Sequence, residues 1–154
     1  MSELVEGGDA PLFQGKDQNG DNISLSDFMD KKLVLFFYPK NNTPGCTLEA
    51  CNLRDNYELL INKGYAILGV SADSEIRHQK FINKYNLPFP LIADVDKNIL
   101  NAYGCWGPKK FMGKSYEGIH RKTFVIEKGK IVKVFEKVKT TGHSNQILEA
   151  MGEL

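Results

Sequence analysis

The sequence predicts an α/β fold in which parallel strands joined by a crossover helix are followed by a β-hairpin and a closing helix. Two observations carry this reading. Two continuous apolar runs, Leu33 to Tyr38 and Tyr65 to Ser71, have the composition of strands buried on both faces, and a helical pattern of crossover length lies between them. Farther on, apolar segments flank Lys128-Gly129, a dipeptide suited to a tight hairpin turn, and helical spacing follows in Ile147, Leu148 and Met151. At 154 residues the chain fits one domain, residues 1–154, with length enough for a proper core.

Taken in order, Leu12 to Lys16 and Asn22 to Leu25 flank the turn-rich Asp17 to Asp21, where Asn19-Gly20 favours positive φ and so an N-terminal hairpin. Ser24 to Met29 fits one helical turn. The first buried strand, Leu33 to Tyr38, stops at Pro39, which has no N–H for a ladder. A helix is expected from about Thr47 to Asn62, with Ala50, Leu53, Tyr57, Leu60 and Ile61 on its apolar face and Gly64 closing it. After the second buried strand, Ser74 caps a helix to about Asn86 with Ile76, Phe81, Ile82 and Tyr85 inward, and Pro88 and Pro90 end it. Leu91 to Ala93 reads as a short strand, Val95 to Tyr103 as a short helix, and Gly104 to Gly118 as a glycine-rich loop long enough to be functional. Thr123 to Glu127 and Lys130 to Val138 form the second hairpin, and Ser144 caps the last helix.

Composition narrows the function classes. With 20 basic and 19 acidic residues and a net charge of +1, no field of one sign exists to hold nucleic acid or an anionic membrane, so a small or uncharged partner is expected. Three unevenly placed cysteines are too few for a secreted disulfide scaffold and suit a reducing compartment, hence a cytoplasmic protein. Residues 1–10 carry Glu3, Glu6 and Asp9 and no apolar stretch, so no signal peptide is expected, and nothing approaches the run of about 20 apolar residues that a spanning helix needs. No repeat, linker or low-complexity segment interrupts the pattern. There is no G-x-G-x-x-G, no phosphate loop and no H-E-x-x-H.

The stretch that carries chemistry is Pro39 to Cys51, PKNNTPGCTLEAC, which joins a strand to a helix with a cysteine at the junction. Pro44-Gly45 turns the chain, and Cys46 or Thr47 opens the helix, so the thiol meets unpaired backbone N–H groups and the positive end of the helix dipole. That setting favours a thiolate, the nucleophilic form of cysteine. The plainer alternative is that Cys46 is a small buried hydrophobe, as free cysteines usually are. Against it stand two turn-forming residues before the thiol and the hydroxyls of Thr43 and Thr47 beside it, which add little to an apolar core.

Pro39, Thr43 and Cys46 form the signature P-x-x-x-T-x-x-C, and on it the sequence resembles a peroxiredoxin. Continuation as T-P-G-C-T-x-E-A-C is similar to the Q type, the bacterioferritin comigratory proteins, and the likeness runs on through Val70 to Asp73, Leu87 to Leu91, Trp106-Gly107, Phe111 to Gly113 and His120 to Phe124. The resemblance implies a thioredoxin-like three-layer α/β/α fold around a central mixed sheet, with an added N-terminal hairpin. It also implies a thiol peroxidase without cofactor or metal that reduces hydrogen peroxide and small organic hydroperoxides. Cys46 would become a sulfenic acid, Cys51 would resolve it as a disulfide, and thioredoxin or glutaredoxin would reduce that bond, in a monomer or weak dimer.

Residue roles follow the same likeness. Pro39, Thr43, Cys46 and Arg121 are the expected substrate contacts, with the Cys46 N–H and the Thr43 hydroxyl as donors and Arg121 as the cation for charge developing on the peroxide. Read alone, Arg121 would be a surface residue. Cys51 is five positions from Cys46, which fits neither C-x-x-C exchange nor a zinc or iron–sulfur spacing, and by itself it would be an ordinary helix position. Glu49 reads by default as an acid near a helix N-terminus, and the resemblance places it in a supporting hydrogen-bond network. Cys105 stands where an apolar residue is expected and reads as one, though it could compete with Cys51. Trp106 and Phe111 are core aromatics by default. His78, His120 and His143 are scattered, and the lysines at 128, 130, 133, 137 and 139 cover the solvated face of a hairpin. The rival class is a redox-sensing or holdase-type interaction protein that uses the same cysteines with little turnover.

Overall fold

The computed structural model describes residues 4–154; Glu3, one of the acidic residues of the opening segment, lies outside them. Its frame is a mixed five-stranded sheet in the order β5-β4-β3-β8-β9, made of Leu91–Ala93, Tyr65–Ser71, Lys32–Phe37, Lys122–Glu127 and Lys130–Phe135. β3 runs parallel to β4, and β4 to β5, whereas β8 is antiparallel to both β3 and β9. β3 and β4 read as unbroken apolar runs because each is paired on both edges and covered on both faces.

Alternation along β3 divides the core. Val34, Phe36 and Tyr38 face a layer of helices, α1 (Pro44–Asp55), α2 (Tyr57–Asn62), α3 (Glu75–Tyr85) and α5 (His143–Ala150), which contribute Leu53, Leu60, Phe81 and Ile147. Leu33, Leu35 and Phe37 face α4 (Asn98–Ala102), a 3-10 turn at Leu25–Phe28, and the segment around Phe13. The N-terminal hairpin forms as expected from β1 (Gln14–Lys16) and β2 (Asn22–Ser24). Among the described residues no helix is long and apolar enough to cross a membrane.

Several sequence expectations change. The cysteine helix starts at Pro44, three residues early, because proline at the first helical position loses no hydrogen bond and Thr43 is already extended as the N-cap. It breaks at Asn56, so one expected helix becomes two. Ile61 and Ile76 are exposed, not inward. Gly104 to Gly118 is no loop: β6 (Trp106–Phe111) and β7 (Lys114–Ile119) form a separate two-stranded ribbon, closed by Met112 at φ 53° and Gly113 at φ 79°. Both residues of such a two-residue turn require positive φ. Phe111 is 67% exposed and not a core aromatic. The last helix is preceded by Gly142 and begins at His143, so Ser144 is not its cap.

α1 is fastened to its neighbours beyond the cysteines. Asn52 accepts from the Ser144 N–H at 2.8 Å and from the Ser144 hydroxyl at 3.2 Å, and donates to the Thr141 carbonyl at 3.3 Å. Arg54 donates to the Tyr85 carbonyl at the end of α3 at 2.8 Å.

Candidate active site

The site forms where β3 ends. Tyr38 still bonds to Val70 across the sheet, then Pro39 stops the ladder and the chain turns through Lys40–Asn42 into α1. Cys46 is the third residue of that helix. The first bond in the helix is Thr47 N–H to Thr43 C=O, so the Cys46 N–H precedes the hydrogen-bonded ladder. Cys46 is 2% exposed.

Strand register brings Arg121 here from 75 positions away. Lys122 pairs with Phe37, so Arg121 lies just past the end of β3, beside the cysteine loop. Its Nη2 donates to Cys46 Sγ at 3.3 Å, and its Nη1 donates to Glu49 Oε1 at 2.6 Å. Burial works against the guanidinium charge, but Glu49 and Cys46 outweigh it and hold Arg121 above its ordinary value. Gly45 makes room for this arm, since a Cβ there would stand 3.2 Å from Arg121 Nη2.

Glu49 has no solvent exposure. Burial pushes its carboxyl up to about 7 while Arg121 pulls it back. Its Oε2 has no hydrogen-bond partner and lies 3.7 Å from His143 Nε2. His143 is equally buried and held near 4, by desolvation first and the Arg121 charge second, against its bond to Gln146. With His143 neutral, that contact is not an ion pair.

Thr43 differs from expectation in one respect. Its hydroxyl donates to the Lys40 carbonyl at 2.8 Å, so its hydrogen is committed and its oxygen is left to accept rather than donate. Pro39 is half-buried. Cys51 is partly exposed in α1, and all three cysteines are free thiols. Cys105 is buried, its thiol pushed up to about 12 by desolvation, the setting of an inert packing residue. Among the described residues no group of three or more His, Cys, Asp or Glu side chains is arranged to hold a metal.

The family model described as "AhpC/TSA family" matches residues 7–135. Peroxiredoxin Bcp of Escherichia coli is 42% identical over 154 residues, covering 99% of each chain. The chain belongs to the AhpC/TSA family, among the Bcp/Q-type peroxiredoxins. A solved peroxiredoxin Q variant of Xylella fastidiosa superposes on this peroxiredoxin with a TM-score of 0.90 at 29% identity, covering 99% of this chain and 98% of that one. The bacterioferritin comigratory protein of Xanthomonas campestris, described for its alkyl peroxide reduction activity, superposes with a TM-score of 0.84 at 33% identity, covering 91% and 90%. The peroxiredoxin is accordingly an enzyme with thiol peroxidase chemistry.

Residues that sequence reasoning passed over support its cysteine loop. The Asn41 N–H donates to Asp73 Oδ2 at 2.9 Å, and Asp73 also accepts from the Ser71 hydroxyl at 2.7 Å. The Asn41 amide takes the Tyr38 hydroxyl at 2.6 Å and meets His78 Nδ1 at 3.0 Å, while His78 Nε2 bonds to the Ile92 carbonyl at 2.8 Å. Asn42, at φ 62°, accepts from Lys84 and Tyr85 on α3. The loop is thus fixed at consecutive residues by the sheet and by α3. The adjacent asparagines were the only sequence signal, and a turn explains those equally well.

Proposed function

We propose that this peroxiredoxin reduces hydrogen peroxide and small organic hydroperoxides with Cys46 as nucleophile, Cys51 as resolving thiol and thioredoxin, or glutaredoxin, as reductant. The observation that carries it is the fork of Arg121, with one nitrogen on Cys46 Sγ at 3.3 Å and the other fixed by Glu49 at 2.6 Å. A cation held from behind is preorganised for a thiolate and for negative charge on the breaking O–O bond. The Cys46 thiolate attacks one peroxide oxygen, the S–O bond forms as O–O breaks, and water or alcohol leaves once the second oxygen gains a proton. Thr43, with its hydrogen engaged, orients the peroxide by accepting its O–H. The Cys51 thiol then displaces water from the Cys46 sulfenic acid, and the reductant opens the disulfide.

The alkyl peroxide activity of the Xanthomonas campestris protein supports organic substrates as well as hydrogen peroxide. The proposed unit is a monomer or weak dimer working in the cytoplasm. Steady-state turnover with thioredoxin, thioredoxin reductase and peroxide tests the reading. Wild type should consume peroxide continuously, and Cys46→Ser, nearly isosteric but hardly ionised, should lose turnover with its fold intact. Substantial turnover in that variant removes Cys46 from the mechanism, and wild-type oxidation without continued turnover supports the redox-sensing class instead.

A further inference from the structure

The Thr43 hydroxyl and the Asp73 carboxylate grip opposite ends of one peptide group. The Lys40 carbonyl and the Asn41 N–H share a plane, and among the described residues no peptide bond is cis, so the two point in opposite directions. On one side the Lys40 carbonyl accepts the Thr43 hydroxyl at 2.8 Å. On the other the Asn41 N–H donates to Asp73 Oδ2 at 2.9 Å. Together they make one chain, from carboxylate through peptide to hydroxyl.

Asp73 is buried and itself held. Its Oδ2 also takes the Ser71 hydroxyl at 2.7 Å, its N–H donates to Ser71 Oγ at 3.2 Å, and its Oδ1 faces Arg77 Nη1 at 3.7 Å. Other ties already keep the loop in place: the Asn41 side chain meets Tyr38 and His78, and the Asn42 side chain meets Lys84 and Tyr85. None of these touches the 40–41 peptide plane. A carboxylate only accepts, so it admits the N–H and repels the carbonyl, and this fixes which way the plane faces. With the plane reversed, the Lys40 carbonyl would turn away from Thr43 and the hydroxyl hydrogen would be free to point at substrate. A peptide that donates to an anion is also a stronger acceptor at its other end.

We propose that Asp73 is a positioning residue for peroxide reduction: through the Lys40–Asn41 peptide it locks the Thr43 hydroxyl hydrogen away from the substrate and leaves the Thr43 oxygen to accept the peroxide O–H. This rests on Thr43 being the acceptor of that O–H. Asp73 acts on the substrate only through Thr43, which separates it from a residue that merely anchors the loop.

A double-mutant cycle tests this, read as the second-order rate of Cys46 sulfenic acid formation with hydrogen peroxide in Cys51→Ser protein. Asp73→Asn keeps the shape but adds an amide N–H that can meet a carbonyl, so the plane is no longer fixed. Thr43→Val removes only the hydroxyl, which makes no bond to the helix N-terminus. Asp73→Asn should lower the rate by about tenfold when Thr43 is present, the scale of one hydrogen bond, and lower it no further when combined with Thr43→Val. Iodoacetamide, which presents no peroxide O–H, should alkylate Cys46 at the same rate with or without Asp73→Asn. An equal loss in both backgrounds, a matching loss in alkylation, or no loss at all overturns the proposal. A full rate in Thr43→Val alone removes Thr43 as the acceptor, and the proposal falls with it. If Asp73→Asn does not fold, the Asn41 amide proton in the reduced protein decides by nuclear magnetic resonance. Bonding to a carboxylate should set it downfield and Thr43→Val should move it upfield, whereas a proton that stays in place overturns the proposal.

Discussion

Arg121 divides its work between two nitrogens, and the division can be probed at either end. Arg121→Ala removes the cation from both the thiolate and the transition state, and loss of one preorganised donor is commonly about 2.7–4 kcal/mol. The second-order rate of Cys46 sulfenic acid formation should fall accordingly, by about a hundredfold or more; an unchanged rate would show that Arg121 is only structural. Gly45→Ala probes the same contact from the other side. Alanine suits a helix better than glycine, so the fold should hold, but its Cβ would crowd Nη2 at 3.2 Å and shift the guanidinium by a few tenths of an ångström. A smaller, several-fold loss in the same rate is expected, with thermal stability retained. Little of this was readable in the sequence. Gly45 looked like a turn residue, and His143 looked scattered because 94 positions separate it from Glu49 and only packing of α5 against α1 joins them. Arg121 was legible through its motif, not through any local pattern.

At the scale of one helix, α1 would set the difficulty of a Cys46–Cys51 disulfide. Five residues of regular helix advance about 7.5 Å and turn about 140°, which puts the two Cα atoms roughly 8.7 Å apart on a cylinder of radius about 2.3 Å. A disulfide needs about 4.4–6.8 Å. Cys46 and Cys51 both lie within α1, so a Cys46–Cys51 bond would require its first turns to unwind. Amide hydrogen exchange over residues 44–55 should show lower protection in oxidised than in reduced wild type, and Cys51→Ser should form the sulfenic acid with the helix still folded. Equal protection with a confirmed Cys46–Cys51 bond would remove the unwinding step, and a Cys46–Cys105 bond would replace the resolving thiol. Elements differed in how plainly the sequence declared them. β3 and β4 were visible because both faces are buried. The β6–β7 ribbon was not, because its residues, including Gly107 and Pro108, are mostly exposed or half-buried and follow no alternation.

Across the whole molecule, the buried acid and the buried imidazole push stability in opposite directions with pH. Glu49 rises from an ordinary 4.5 to about 7, so its stabilising share is fully present below 4.5 and is lost as pH climbs through 7. His143 drops from 6.5 to about 4, so its share is present above 6.5 and is lost as pH falls through 4. Each slope is on the order of 1 kcal/mol per pH unit, and between about 4.5 and 6.5 they oppose one another. Denaturant titrations should find wild-type stability nearly level there, rising with pH in Glu49→Gln and falling with pH in His143→Asn; parallel curves for all three would show that neither group titrates as described. The overall α/β order was legible because it follows from hydrophobic periodicity, whereas this balance depends on contacts between distant segments. The ties at Asn52 have a mechanical meaning as well. They clamp α1 one residue past Cys51, to Thr141 and to Ser144, so any unwinding of residues 44–51 would be held at its far end. An unwinding so bounded would be short, and re-formation of the helix on reduction would return Cys46 to its place beside Arg121.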